Sequence, residues 1–224
     1  SNVEPAFSDY VLDPTSKKIE NPIVYIYNTH QTENYSYKAY EDYNITPNVM
    51  MASYILRERL NDKNIEAIVE DANIKEILNS NSWSYSSSYK ASRFLIKDTI
   101  KKYPNIKLFI DLHRDSVSHK VSTTSSNGKK YAKVMFVIGK EYDSYKKNLE
   151  VANKLNNIIK TKASISRGVL LKEGKNVNGV YNQDINPNII LIECGGNENS
   201  LEEVINTIDL LAEAISIYLG DSNG

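Results

Sequence analysis

The sequence predicts an α/β domain with a largely parallel, twisted sheet and helices on both of its faces. Apolar, β-branched runs that are typical of buried strands alternate along the chain with amphipathic segments that are typical of helices. The chain has 224 residues, which suits a single domain with a sizeable core. We assign residues 1–20 to an irregular N-terminal arm, which starts like the remnant of a removed tag, and residues 21–224 to one domain.

Six segments are predicted to be strands, because they are short, apolar and rich in β-branched residues. Three of them are nearly continuous apolar runs, as expected for strands of a parallel sheet that is covered on both faces. The predicted strands are residues 22–28, 65–70, 107–112, 133–138, 168–173 and 188–193.

Four segments are predicted to be helices, because their apolar residues recur at spacings of three and four. Ser200 and Glu203 form a capping box before the last of them. The predicted helices run from Asn48, from about Tyr89 to Pro104, from Asp143 or Ser144 to about Lys162, and from the capping box to Gly220. The predicted loops are residues 29–47, 79–89, 114–130 and 174–187.

Composition argues against several classes of function. The formal net charge is −1, so no strong field favours nucleic acid or an anionic membrane surface. Cys194 is the only cysteine in the sequence, which excludes an intramolecular disulfide. No apolar run approaches the roughly 18 residues of a transmembrane helix. Membrane anchoring is therefore expected only through segments absent from this chain.

Residues capable of metal binding and acid–base chemistry follow three of the apolar strands. His30 and His113 each lie just after a strand, and Glu193 ends the last strand. Because ligands of open parallel sheets bind at the carboxyl ends of the strands, we expect these side chains to converge on one edge. His119, in a loop rich in Ser and Thr, is expected to be solvated.

Two imidazoles and one carboxylate form the ligand pattern of a catalytic zinc site with an open position. Zinc in such a site polarises a scissile carbonyl and activates water. A further carboxylate must move the proton of the water to the leaving amine, and Glu193 is suited to this role. Glu33 and Glu41 are candidates for the third ligand. We favour Glu33, because the His-x-x-Glu spacing from His30 lets both side chains reach one ion.

Other polar residues near the predicted edge have two interpretations each. Arg114 could stabilise a developing oxyanion or bind a substrate carboxylate, or it could pair with Asp111 or Asp115. Asn182 and Gln183 precede the last strand and could hydrogen-bond the substrate or shape their loop.

Cys194 could be a nucleophile with His113 as its base. It follows an unbroken apolar strand, however, which favours a buried packing role. The pair Gly195-Gly196 is too short to indicate a phosphate-binding loop.

Three segments together resemble a known family. They are Tyr-Ile-Tyr-Asn-Thr-His-Gln-Thr-Glu-Asn-Tyr (25–35), Phe-Ile-Asp-Leu-His-Arg-Asp-Ser (109–116) and the stretch 181–200, which contains Leu-Ile-Glu-Cys-Gly-Gly. Their order and spacing resemble the stage II sporulation protein P family across residues 22–220. His-Arg-Asp-Ser and Leu-Ile-Glu-x-Gly-Gly are the specific elements. More distantly, the chain resembles the zinc N-acetylmuramoyl-L-alanine amidases.

This resemblance implies that residues 21–224 are a zinc amidase-like catalytic domain. The implied reaction cleaves the amide bond between N-acetylmuramic acid and L-alanine in peptidoglycan, with an added endopeptidase activity. His30 and His113 are implied as zinc ligands and Glu193 as the catalytic acid/base. The implied setting is extracytoplasmic and membrane-anchored, between mother cell and forespore during engulfment in sporulation. The implied partner is a lytic transglycosylase, stage II sporulation protein D.

The sequence departs from these families at two places. Members of the family commonly have a histidine two positions before the metal-binding one, and here that position is Asn28. The related amidases carry a ligand glutamate just before the first helix. The corresponding residues here, 45–48, contain no acid, which strengthens the case for Glu33 as the third ligand. Two other functions compete with the amidase. They are a zinc carboxypeptidase or endopeptidase acting on stem peptides, and a non-catalytic cell-wall binding module whose surface is formed by tyrosines.

Overall fold

A six-stranded sheet forms the centre of the structure, a computed structural model that describes residues 19–221. The strands are β1 (Val24–Tyr27), β2 (Ala67–Val69), β3 (Leu108–Asp115), β4 (Thr123–Ser126), β5 (Lys129–Ala132), β6 (Val134–Gly139), β7 (Ser166–Lys172) and β8 (Ile189–Gly196). The order of strands in the sheet is β2-β1-β3-β8-β6-β7, and a separate hairpin pairs β4 with β5. All neighbouring strands of the sheet are parallel except β6 and β8.

Six α-helices accompany these strands among the described residues. They are α1 (Val49–Asn61), α2 (Ile74–Ser80), α3 (Ser88–Lys102), α4 (His119–Ser122), α5 (Tyr145–Lys162) and α6 (Leu201–Asp221). Asn48 caps α1 by accepting a hydrogen bond from the Met51 amide at 3.1 Å. The Ser200–Glu203 capping box is confirmed, because each side chain bonds the backbone amide of the other residue.

Alternation along the central strands divides their side chains between the two faces of the sheet. Ile26, Ile110 and Ile192 point to one face, where they form the main core with α1, α5 and α6. Tyr27 and Phe109 point to the other face, which α3 covers. The predicted fold class, an α/β domain with a largely parallel sheet and helices on both faces, is confirmed.

Four features differ from the predictions. Helix α2, the short helix α4 and the β4–β5 hairpin lie where neither helix nor strand was expected, and α6 continues through Gly220 to Asp221. The hairpin turns at Asn127 and Gly128, which have positive φ angles of 49° and 75°. These angles suit the tight turn that Asn-Gly favours.

The predicted N-terminal arm, residues 1–20, falls almost wholly outside the described residues. Its boundary with the domain therefore stays a prediction. Among the residues that the structure describes, no helix is both long enough and apolar enough to cross a membrane.

Candidate metal centre

The carboxyl ends of β1, β3 and β8 bring the predicted site residues together. His30 follows β1 by three residues, and His113 lies near the end of β3. Glu193 of β8 is the register partner of His113 on the neighbouring strand. His113 and Glu193 have the same parity along their strands as Phe109 and Leu191, so both point to the face that α3 covers.

Glu33 bridges the two histidines. Its Oε1 lies 3.3 Å from Nδ1 of His30, and its Oε2 lies 3.3 Å from Nδ1 of His113. One ligand atom from each of these three residues lies within 4.8 Å of the other two, so the group could hold one metal ion. Two imidazole nitrogens and a carboxylate suit zinc by their chemistry. Glu41, the alternative ligand, is exposed in a 3₁₀ helix and is outside this group.

Asp111 contacts His113 on the side of the ring that faces away from Glu33. Its Oδ1 lies 2.9 Å from Nε2 of His113, the ring nitrogen opposite to the one that faces Glu33. The Nε2–H of His113 is not well aligned with an acceptor among the described residues, so its contact with Asp111 is chiefly electrostatic. Thr29 fixes the carboxylate, since its amide donates to Oδ1 at 2.9 Å and its hydroxyl to Oδ2 at 2.7 Å. Carboxylates that orient metal-binding histidines have this position.

Asp111 and Thr29 were not predicted as functional residues. The signal for Asp111 is present in the sequence, because Asp-Leu-His places Asp111 and His113 on the same face of a strand. The contact of Thr29 with Asp111 joins β3 to the end of β1 and has no local signature in the sequence.

The charges at the centre favour a bound cation. Burial raises the pKa of Glu33, but hydrogen bonds from His113 and His30 outweigh it and hold that pKa well below its usual value. Burial lowers the pKa of His113, but Asp111 and Glu33 outweigh it and hold that pKa well above its usual value. The two carboxylates thus stabilise positive charge on the ring, and a metal ion can replace the proton that carries it.

Glu193 has the environment of a proton-transfer group. Burial raises the pKa of its carboxyl to about 7, the protonated form of His113 opposes this rise, and the charges of Glu33 and Asp115 add to it. Its Oε2 is buried without a hydrogen-bond partner among residues 19–221. A carboxyl with a pKa near neutrality and an unused oxygen is suited to accepting and returning a proton.

Tyrosine rings from the start of α3 and the turn before it enclose the two histidines. Tyr85 stacks on His30 with ring centroids 5.1 Å apart. Tyr89 contacts His30 edge-on at 5.4 Å and stacks on His113 at 6.4 Å. These contacts restrict the rotation of both imidazoles and so contribute to preorganisation of the centre.

Arg114 lies at an irregularity in the pairing of β3 with β8. Its backbone amide donates to Oε2 of Glu33 at 3.0 Å, while its Nε donates to the carbonyl of Asn34 at 3.0 Å. Asp115 pairs instead with Arg167, 2.7 Å away. The guanidinium therefore lies beside the loop that carries Glu33, and its role toward substrate stays a prediction.

Asn182 and Gln183 are buried, and their side chains bond to the fold. The side-chain Nε2 of Gln183 donates to the Val137 carbonyl at 2.9 Å, and its Oε1 accepts from the backbone amide of Gly139 at 3.0 Å. The side-chain Nδ2 of Asn182 donates to the Tyr89 carbonyl at 2.9 Å. These bonds favour the interpretation in which both residues shape their loop, and binding of substrate by either one stays untested.

Three other polar residues lie outside the cluster. Asn28, at the family's second histidine position, is buried and donates to the Leu112 carbonyl at 2.6 Å. Cys194 is fully buried, and burial raises the pKa of its thiol to about 12, which favours a packing role. His119 is not simply solvated, because its Nε2 lies 2.9 Å from the buried Glu203.

Comparison with known proteins identifies similar sequences. The sequence model of a family described as Stage II sporulation protein P (SpoIIP) matches residues 3–216. Stage II sporulation protein P of Bacillus subtilis (strain 168) is 34% identical over 210 residues, which are 91% of this chain and 52% of that protein. The chain thus spans about half the length of this curated relative.

Solved structures with a similar fold include two amidases. The CwlD amidase from Clostridioides difficile in complex with the GerS lipoprotein has a TM-score of 0.54 at 15% identity, with 88% of this chain and 96% of that chain covered. An N-acetylmuramoyl-L-alanine amidase from Clostridium difficile 630 has a TM-score of 0.52 at 17% identity, with 92% and 100% covered. A metallo-carboxypeptidase from Burkholderia cenocepacia also has a TM-score of 0.52, at 10% identity, with 94% and 59% covered. At these identities the likeness shows the fold.

Proposed function

Because this chain belongs to the stage II sporulation protein P family, we propose that it is a zinc-dependent peptidoglycan amidase. The observation that carries the proposal is the cluster of His30, Glu33 and His113 with Glu193 on the adjacent strand. The scissile bond would join the lactyl group of N-acetylmuramic acid to L-alanine. The chemistry that zinc supplies when bound is polarisation of the carbonyl and activation of water.

Glu193 performs the proton transfers of this reaction. Its carboxylate takes a proton from the attacking water as the oxygen of the water bonds to the carbonyl carbon. It then gives that proton to the amide nitrogen as the carbon–nitrogen bond breaks. The products are the lactyl carboxylic acid on the glycan and the free amine of L-alanine, and the acid then loses its proton to the amine or to solvent. Burial raises the pKa of the Glu193 carboxyl to about 7 in the metal-free protein, and a bound cation would favour its ionised, proton-accepting form.

The chain's other residues prepare the centre for this chemistry. Asp111 orients His113, and the tyrosine rings hold both imidazoles. Arg114 is the nearby cation proposed to stabilise the developing oxyanion or bind a peptide carboxylate. Asn182 and Gln183 shape their loop through side-chain hydrogen bonds to Tyr89 and Val137, and their binding of substrate is part of the proposal.

The proposed setting follows from the family. The protein would act on peptidoglycan outside the cytoplasm during engulfment of the forespore, as a membrane-anchored protein. It would work with stage II sporulation protein D and have a subsidiary endopeptidase activity. Co-purification of the full-length protein with stage II sporulation protein D from sporulating cells tests the partnership.

Mass spectrometry of digested peptidoglycan tests the reaction. The zinc-loaded protein should release stem peptides with a free L-alanine amine and leave glycan strands without peptides. Release of single amino acids or cleavage within the stem peptide alone would instead identify a zinc peptidase. Peptidoglycan that is bound but unchanged would identify a binding module.

Two variants control the digestion experiment. Glu193→Gln should abolish release of stem peptides while the protein still binds zinc. His119→Asn alters a histidine that lies outside the metal group, so it should retain activity. Full activity of the Glu193→Gln protein would contradict the proposed acid–base role.

A further inference from the structure

A cavity of about 650 Å³ lies beside the metal centre. Thr29 and Thr32, on either side of His30 in the sequence, line it together with Tyr85. Tyr85 also stacks on His30, so the cavity begins next to a ring of the metal centre. A volume of this size can hold a ligand of a few residues. A substrate with its reacting carbonyl at the metal can therefore extend one arm into this space.

Part of the cavity wall is apolar and is formed by side chains of α2 and by Trp83. Ile74, Leu78 and Trp83 line it. Gln31 fixes this wall to the end of β1, because its side chain donates to the Ala72 carbonyl at 2.7 Å and accepts from the Ile74 amide at 2.9 Å. The cavity is therefore formed by the fold itself, without a ligand.

Two opposite charges line the same cavity. Asp71 and Lys75 are both exposed, and neither has an ion pair or a side-chain hydrogen bond among residues 19–221. The neighbouring Glu70, in contrast, accepts a hydrogen bond from the Tyr25 hydroxyl at 2.6 Å. An apolar cavity with one unpaired acid and one unpaired base complements a ligand that carries both an ammonium and a carboxylate.

The charges distinguish between the two arms of peptidoglycan. A neutral sugar would form no ion pair with either charge. Both aromatic rings that line the cavity already have partners. The Lys90 ammonium lies 3.8 Å from the Trp83 ring centroid and Phe94 stacks on the same ring, while Tyr85 stacks on His30. Stem peptides carry free carboxylates, and many have a diamino acid at the third position. The observations favour the peptide arm.

We propose that this cavity binds the stem peptide, with Asp71 pairing with the ammonium and Lys75 with the carboxylate of one zwitterionic residue. The proposal rests on the proposed amidase function, since it places the amine product of that reaction. It assigns the cavity between β1 and α2 to the peptide and leaves the glycan to the other side of the centre.

Calorimetric binding of two synthetic peptides to the full chain tests this assignment. The first peptide is L-alanyl-γ-D-glutamyl-meso-diaminopimelic acid, and the second has L-alanine at its third position. The first peptide should bind more tightly than the second. Asp71→Asn and Lys75→Gln should each weaken binding of the first peptide about fivefold and leave the second unaffected.

Asp62→Asn and Lys63→Gln are the matched controls, because both residues are exposed and neither lines the cavity. They should change neither affinity. Three results would each overturn the proposal. The two peptides could bind with equal affinity, both cavity variants could still prefer the first peptide as strongly as the wild type does, or the first peptide could fail to bind at millimolar concentration. A chitotetraose probe tests the glycan directly. If chitotetraose binds, is displaced by neither peptide and binds more weakly to the cavity variants, the cavity belongs to the glycan.

These measurements are separate from the amidase test. A protein that releases stem peptides from peptidoglycan but fails the peptide comparison contradicts only the assignment of the cavity. A protein that binds the first peptide selectively but releases no stem peptides contradicts the proposed function instead.

Discussion

Replacing Glu193 with glutamine should change how the stability of the metal-free protein depends on pH. The carboxyl of Glu193 has an ordinary pKa of 4.5 and, in the folded chain, a pKa raised by burial to about 7. Between these values the folded protein holds a proton that the unfolded chain has lost. The folded state therefore loses stability relative to the unfolded state as the pH rises through this interval.

The size of the effect follows from the two pKa values. A shift from 4.5 to about 7 corresponds to about 3 kcal/mol at 1.36 kcal/mol for each pKa unit. Nearly all of this penalty is absent at pH 4 and present at pH 8. Glutamine cannot ionise, so the Glu193→Gln protein lacks the penalty at both values. Its stability relative to the wild type should be about 3 kcal/mol more favourable at pH 8 than at pH 4.

Urea unfolding with a metal chelator present, at pH 4 and pH 8, measures this difference. Comparing the two proteins at each pH cancels the titrating groups that do not interact with Glu193 and any constant cost of burying the glutamine amide. Adding zinc at pH 8 should reduce the advantage of the variant, since a nearby cation stabilises the carboxylate. A difference between the proteins that is the same at both pH values would refute the reasoning.

Glu203→Gln provides a control of opposite sign. Burial raises the pKa of Glu203, but hydrogen bonds from Asn199, His119 and the Ser200 amide outweigh it, and the pKa lies below its usual value. The ionised Glu203 therefore stabilises the fold above about pH 4.5, and this contribution disappears as the pH falls through the lowered pKa. The glutamine variant should be more destabilised at pH 8 than at lower pH.

Three further predictions concern the metal centre. Glu33→Gln should weaken zinc binding by an order of magnitude or more in calorimetry, whereas Glu41→Gln should leave it unchanged; the reverse result would make Glu41 the ligand. Tyr89→Leu removes the ring that contacts both histidines and should weaken zinc binding about 10-fold or more. An unchanged affinity for zinc would argue against a role of Tyr89 in positioning the histidines. The Cys194→Ala protein should still release stem peptides in the digestion assay, because Cys194 is buried. A folded Cys194→Ala protein without any activity would instead support Cys194 as the nucleophile.

The sheet and both histidines could be predicted because their signals are local. Continuous apolar runs identify the central strands, and the rule for strand ends places His30 and His113 at one edge. Helix α2 has only seven residues, too few for a clear helical period, and it depends on bonds from Gln31, 43 residues before Ile74. The direction of β6 was also beyond prediction, since an apolar strand looks the same in either orientation.

The β4–β5 hairpin shows a different limit. Asn127-Gly128 is a strong turn signal, but the residues beside it are Ser, Thr and Lys, without the alternating apolar pattern that usually identifies strands. The hairpin is stabilised partly from outside, since Asn206 on α6 donates to the Lys130 carbonyl at 2.9 Å. Long-range contacts of this kind leave no trace in the local sequence.

The position of Glu33 depends on contacts with the turn after β1, with α1 and with β3, which lies 81 residues further along the chain. The contact with β3 cannot be read from spacing, which explains why spacing alone left Glu41 open as the third ligand. The Glu33 amide donates to the His30 carbonyl at 3.1 Å, which closes the turn after β1. Its own carbonyl accepts from the Val49 amide at the start of α1, and its carboxylate accepts from the Arg114 amide of β3. The backbone of Glu33 is thus fixed to β1 and α1 while its side chain is fixed to β3. A ligand held in this way is preorganised before any ion binds, so the fold itself, and not only the His-x-x-Glu spacing, supports Glu33 as the third ligand.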